Sequence, residues 1–263
     1  MTYRTLRFAN EDGIAHITLA RPDNANALDL VMMHELMQAA IACDEDPSVR
    51  AILLDAEGRL FCAGGDLAEF ARAGDGLPKL LKEATVYLHA AISRLVRGRA
   101  PVIAAVQGHA AGAGFSLAAA CDLVLAAASA RFTMAYTRAG LVPDGASTYF
   151  LPRVIGRRRT LELMLTNRSL SAHEAVEWGL VNRVVEDEQL AEEALKLARE
   201  IASGPTGAFG GVKRLVLRSE SETLESQMEI EARAIADAAR SADGQEGIRA
   251  FLAKRPAKFT GVS

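Results

Sequence analysis

The chain has 263 residues, half of them hydrophobic and 24% charged, which supplies a packed core for one large or two modest domains and leaves no basis for disorder. Thirty basic against 33 acidic residues give a net charge of −3, which argues against a protein built to hold nucleic acid phosphates. Three widely spaced cysteines, Cys43, Cys62 and Cys121, form no CxxC pair, so neither a disulfide framework nor a zinc site is expected. The first residues lack the apolar stretch of a secretory leader. The least polar segment, 101–130, is interrupted by Gln107, His109, Asp122 and several glycines, unlike a membrane span. A soluble, cytoplasmic protein without a metal or separate cofactor is the expectation.

In chain order, the first strand signal is Gly13 to Leu19, where apolar and polar residues alternate. Arg21-Pro22-Asp23-Asn24 reads as a turn, and Leu30, Met33, Leu36, Met37 and Ala40 recur at helical spacing until Asp46-Pro47. Ala51 to Asp55 is a short apolar run suited to a buried strand, and Gly58 to Asp66 a glycine-punctuated loop. A helix is expected from about Leu77 to Val96, a buried strand from Pro101 to Val106, a small-residue loop from Gly108 to Gly114 and a helix from Phe115 to Ala120. Leu123 to Ala126 is a further strand. Alternating strands and helices, with strands appearing as continuous apolar runs, define an α/β class. After about Gly156 the segments 161–165, 172–178, 190–203, 212–219, 224–239 and 247–252 all have helical period, with hardly a strand between them. Ser203-Gly204-Pro205 is the best boundary, giving an α/β core over 1–203 and a helical region over 204–263.

Two segments carry chemistry. Phe61-Cys62-Ala63-Gly64-Gly65-Asp66-Leu67 is a turn of small residues leading into a helix, either an ordinary glycine turn or a place where unpaired backbone N–H groups face an oxygen that gains negative charge. Gln107 to Leu117 repeats the arrangement of strand, small-residue turn and helix start. A dinucleotide fingerprint fails there, because Leu117 stands where the third glycine belongs, and GK[ST] is missing. A helix start able to polarise a carbonyl is what survives.

Together these segments resemble the enoyl-CoA hydratase/isomerase, or crotonase, superfamily. The resemblance extends to Arg21-Pro22 with Asn26-Ala27-Leu28, to Leu141-Val142-Pro143-Asp144, to Leu170–Ala175 with Trp178–Val181, and to Phe251–Arg255. It implies a spiral of ββα repeats followed by helices that make homotrimers or hexamers, and an acyl-CoA substrate. It implies an oxyanion hole from the backbone N–H groups of Gly65 and Ala113. The CoA contacts it implies are Ala27, Ala63, Gly65, Asp66, Leu67, Ala113, Phe251 and Lys254, with the Ala63 carbonyl at the adenine and Lys254 near the phosphates. Lys254-Arg255 also reads as a solvated charge pair.

The family's hydratases use two glutamates. Their positions hold Ser116, three residues after Ala113, and Tyr136, eight before Asp144, which counts against enoyl-CoA hydration. Asp144 reads alone as a turn aspartate. In the resemblance it matches an isomerase-like acid that shuttles a proton within the acyl chain, or the nucleophile of a branch resembling 4-chlorobenzoyl-CoA dehalogenase. His89 matches that branch's base, or is a surface or core histidine, and Tyr136 is expected to shape the site. Gly65 and Leu88 lack that branch's aromatic walls. A catalytically silent or RNA-binding oligomer is the rival reading, motivated by Arg153, Arg157, Arg158 and Arg159, which also fit a solvated helix start. His16, His34 and His109 are expected to be structural.

Overall fold

A computed structural model describes residues 3–261. The chain opens with a hairpin, β1 (Leu6–Glu11) and β2 (Ile14–Leu19), closed by Asp12 and Gly13, both at positive φ. The Asp-Gly pair supplies the left-handed residues that a two-residue hairpin requires. Strand β1 lies outside the sequence expectation because it is an edge strand whose exposed face breaks the apolar run.

Helix α1 (Leu30–Glu45) follows, capped by the Asp29 carboxylate on the Met32 N–H. Then come β3 (Ala51–Ala56), α2 (Leu67–Ala73), α3 (Leu77–Arg97), β4 (Val102–Val106), β5 (His109–Ala111), α4 (Ala113–Ala119), β6 (Leu123–Ala127) and β7 (Arg131–Thr133). The second half holds α5 (Ser147–Val154), α6 (Arg157–Thr166), β8 (Leu170–Ser171), α7 (Ala172–Glu177), β9 (Arg183–Val185), α8 (Leu190–Ala202), α9 (Thr206–Ser219), α10 (Leu224–Arg240) and α11 (Ala242–Leu252).

Six strands form one sheet in the order β1-β2-β3-β4-β6-β9, parallel except for β1, and β5-β7-β8 form a second. The chain visits the sheets alternately: β4 then β5 before α4, β6 then β7 before α5. Earlier turns do the same with single bridges, Leu28 to Gly65 before α1 and Cys62 to Ala110 before α2. This is the spiral of ββα turns that the resemblance implies. Two expectations are corrected. The 108–114 loop contains β5, whose alanines carry little strand propensity and are extended by pairing with β7. The helical half contains β8 and β9, so the sheet continues to Val185.

The core is continuous. All of β4 is buried, as are Ala51, Ile52, Leu53 and Leu54 of β3, which explains their unbroken apolar runs. Helices α1 and α3 pack on each other, and α8 covers β3, β4 and β6 through Leu190, Ala194, Ala198 and Ala202. Among the described residues no helix is long and apolar enough to cross a membrane.

Candidate active site

The two small-residue turns are pressed together at the seam between the sheets. The Leu28 N–H donates to the Gly64 carbonyl (2.7 Å) and the Asp66 N–H to the Leu28 carbonyl (3.0 Å), while the Ala111 N–H donates to the Cys62 carbonyl (2.8 Å). A Cβ on Gly114 would lie 2.6 Å from the Cys62 carbonyl oxygen, and one on Gly64 would lie 3.0 Å from the Ala111 oxygen at a φ of +99°. Glycine is therefore required at both places. The result is a pair of backbone segments side by side, each presenting a donor: among the described residues neither the Gly65 nor the Ala113 N–H meets an acceptor. Ala113 opens α4, and the carbonyl of its own peptide, that of Gly112, accepts from the Ser116 N–H (3.0 Å) and lies 3.2 Å from Ser116 Oγ.

Asp144 stands on the loop before α5, with its main-chain carbonyl accepting from the Ser147 hydroxyl (2.8 Å). Its Oδ1 accepts from the Tyr136 hydroxyl (2.5 Å), and that hydroxyl lies 3.0 Å from Ser116 Oγ. Burial, and after it the Asp144 charge, push the Tyr136 phenol up, so it remains a donor at ordinary pH. Asp144 Oδ2 is 4.0 Å from His89 Nε2. The Gly145 N–H donates to that same nitrogen (3.3 Å), which places the lone pair on Nε2 and the proton of the neutral ring on Nδ1. Residues from α3, α4, the 136–139 turn and the 143–146 loop, dispersed in sequence, thus converge on one carboxylate. His89, half-exposed, faces it.

Ala63, Asp66 and Leu67 flank Gly65 in the first turn. Asp66 is buried and caps α2, accepting from the Ala68 and Glu69 N–H groups and from Arg21. Burial opposes its charge, but these donors outweigh it and hold the carboxyl below its usual range. Its side chain ties the start of α2 to the turn at Arg21. Arg21 also binds the Ala27 carbonyl and pairs with Asp29, fixing the segment before α1. Ala63 is exposed, as is Leu67 at the start of α2. Phe251 and Lys254 are exposed at the end of α11, and among the described residues no hydrogen bond or ion pair joins them to the Asp144 centre. Arg255 pairs with Glu246 (2.6 Å).

Asn26, part of the resemblance motif without an assigned role, donates its buried amide to the Glu57 and Leu60 carbonyls (2.8 Å each), and the ring of Phe70, which the sequence did not single out, fills the space beside Gly65. An Asn and an Arg flanking a Pro turn were the available signal. His109 bonds Thr133 (2.9 Å), and His16, without a visible partner in sequence, bonds Asp55 (2.7 Å). Burial pushes the Cys62 thiol up to about 12, so it is no nucleophile. Arg153 pairs with Glu220 and stacks on Tyr149, and Arg159 lies over Trp178, so two members of the arginine cluster already have partners. Among the described residues no group of three His, Cys, Asp or Glu could hold a metal.

Two unpaired backbone N–H groups on adjoining turns define a site suited to an oxygen that gains negative charge. The enoyl-CoA hydratase/isomerase family model matches residues 9–262. The chain is 42% identical over 252 residues to 1,2-epoxyphenylacetyl-CoA isomerase of Escherichia coli, covering 95% of this chain and 96% of the relative. It is 41% identical to a protein of Rhodobacter capsulatus named "Probable enoyl-CoA hydratase", covering 99% and 100%. It is 38% identical to 4-chlorobenzoyl coenzyme A dehalogenase-2 of Arthrobacter, covering 84% and 80%. The crystal structure of an enoyl-CoA hydratase from Polaromonas superposes with a TM-score of 0.92 at 34% identity, covering 97% of this chain and 99% of that one. The chain belongs to the enoyl-CoA hydratase/isomerase family and is a crotonase-family acyl-CoA enzyme with the crotonase fold.

Proposed function

We propose that the protein is an acyl-CoA isomerase that relocates a double bond, with Asp144 carrying the proton. The observation that carries this reading is the single carboxylate: Oδ1 is held by Tyr136, and the two positions where a hydratase would hold glutamates are Ser116 and Tyr136, joined to each other at 3.0 Å. The thioester oxygen accepts from the Gly65 and Ala113 N–H groups, each worth about 3–4 kcal/mol to an oxyanion. That charge stabilisation acidifies the adjacent carbon. Asp144 Oδ2 takes a proton from C2, the C–H electron pair enters the conjugated enolate, and the same proton is returned at C4. The double bond moves from position 3 to position 2 with no net change in atoms.

A second reading rests on the 4.0 Å approach of His89 to Asp144: the carboxylate attacks an aromatic acyl group and His89 activates the water that releases it. Assays of wild type, Asp144→Asn and His89→Ala on 3-enoyl-CoA, 2-enoyl-CoA and 4-chlorobenzoyl-CoA separate the two. Isomerisation should fall roughly 10²–10⁴-fold in Asp144→Asn and survive in His89→Ala. Chloride release that depends on His89 would overturn the isomerase reading in favour of the second. Hydration of 2-enoyl-CoA by Asp144→Asn would overturn both.

We further propose that residues 204–263 carry the assembly surface of a homotrimer or hexamer. Ile235, Ile248 and Phe251 are exposed on α10 and α11, and an apolar groove of about 1400 Å³ runs between α9, α10 and α11, supporting a second copy as occupant. A monomer mass in light scattering would contradict this.

A further inference from the structure

The Ser116 hydroxyl lies between two acceptors in different halves of the site. Its Oγ is 3.2 Å from the Gly112 carbonyl and 3.0 Å from the Tyr136 hydroxyl, which in turn is 2.5 Å from Asp144 Oδ1. Ser116 is fully buried, and Gly145 of the Asp144 loop rests against it. The Gly112 carbonyl belongs to the same peptide unit as the Ala113 N–H. An unbroken run of hydrogen-bonding groups therefore connects the carboxylate to one of the two oxyanion donors.

We infer that Ser116 is a positioning residue that couples the proton on Asp144 to the strength of the Ala113 donor; this rests on the reading of Asp144 as the proton carrier. The hydroxyls of Ser116 and Tyr136 have one hydrogen each. When Asp144 is ionised, Tyr136 gives its hydrogen to Oδ1, and Ser116 gives its own to the Tyr136 oxygen, since otherwise two lone pairs would face each other at 3.0 Å. When Asp144 has taken the substrate proton, its pull on Tyr136 weakens. Tyr136 then turns toward Ser116, and Ser116 donates to the Gly112 carbonyl. No O–H bond breaks at either residue; two hydroxyls rotate. A carbonyl that accepts a hydrogen bond polarises its amide and makes the N–H at the other end a better donor. The oxyanion hole thus tightens when the enolate exists and relaxes when it does not, which is differential stabilisation of the charged state.

Acetoacetyl-CoA tests this without turnover, because it can give its proton to Asp144 and go no further, and the near-ultraviolet band of its enolate, followed over pH on the enzyme, reports how strongly the site holds the enolate. Ser116→Ala should weaken the bound enolate roughly three- to tenfold, the weight of one modest hydrogen bond, and raise the apparent pKa of the bound ligand. Tyr136→Phe should not, since it leaves Ser116 the Gly112 carbonyl as its acceptor; its apparent pKa should match or fall below wild type. A packing role would not separate the variants in this way. An unchanged apparent pKa in Ser116→Ala, or a rise in both variants, overturns the inference alone. A wild type that shows no enolate band overturns the acyl-CoA reading and the inference with it.

Discussion

Helices α8 and α10 are both strongly amphipathic, yet their apolar faces end differently. Helix α8 lays Leu190, Ala194, Ala198 and Ala202 on the large sheet, and its four-residue alanine spacing permits close approach. Helix α10 buries none of its residues; Met228 and Ile235 are exposed, as are Ile248, Phe251 and Leu252 on α11. A helical apolar stripe states that a face requires cover, not what covers it. The joint between the two regions is polar. Lys213 of α9 reaches into the core, with Nζ 2.7 Å from Asp122 and 2.9 Å from the Leu95 and Ala100 carbonyls. Burial pushes the Asp122 carboxyl up despite the attraction of Lys213, so this pair is costly to split.

Splitting it should produce the largest effect on stability. Lys213→Met removes the cation from two carbonyls and from Asp122, which is partly exposed and keeps the Val102 N–H, and should cost about 2–3 kcal/mol in denaturant unfolding. Next comes the seam of the core: Gly114→Ala places a methyl 2.5 Å from Cys62 Cβ, so a loss of about 1–3 kcal/mol is expected together with weakened acyl-CoA binding in calorimetry. The contrast with α10 shows at Ile235→Asp, which should lower the assembly mass in light scattering and, at concentrations where the chains are dissociated, change unfolding free energy by no more than about 0.5 kcal/mol. An equal loss of stability at both sites would erase the distinction between the regions.

The smallest effect is expected at His16, on the core side. Its hydrogen bond to Asp55, outweighing burial, raises its pKa, so the stability it contributes is fully present below the unfolded value of about 6.5 and is lost as pH rises through the folded value. Unfolding midpoints of wild type and His16→Gln should therefore converge as pH rises through that window. The pair is partly exposed, which keeps the difference small.

Much of this was legible in the sequence. The apolar runs at 51–55 and 101–106 read as buried strands, and the small-residue turns at 61–67 and 107–117 read either as ordinary turns or as sources of backbone donors. Asp144, Tyr136 and His89 were legible through family resemblance, and the fold does bring them together. The side-chain partners of Asp66 were not legible, since a carboxylate before a helix reads as a cap and the approach of Arg21 across the turn is tertiary. Strand β5 and the double contact of Ser116 were not legible, because both are set by partners from other turns of the spiral. Alanines and a serine carry no signal of such pairing in themselves.

The proposed isomerisation requires Asp144 to move a proton on an enolate held by Gly65 and Ala113. Proton NMR of 3-enoyl-CoA incubated with enzyme in D₂O tests it most directly. Wild type should form 2-enoyl-CoA, with any deuterium confined to C2 and C4, whereas Asp144→Asn should bind the thioester but neither shift the bond nor exchange those hydrogens. Undiminished isomerisation by Asp144→Asn, or 3-hydroxyacyl-CoA as the product of wild type, would contradict it.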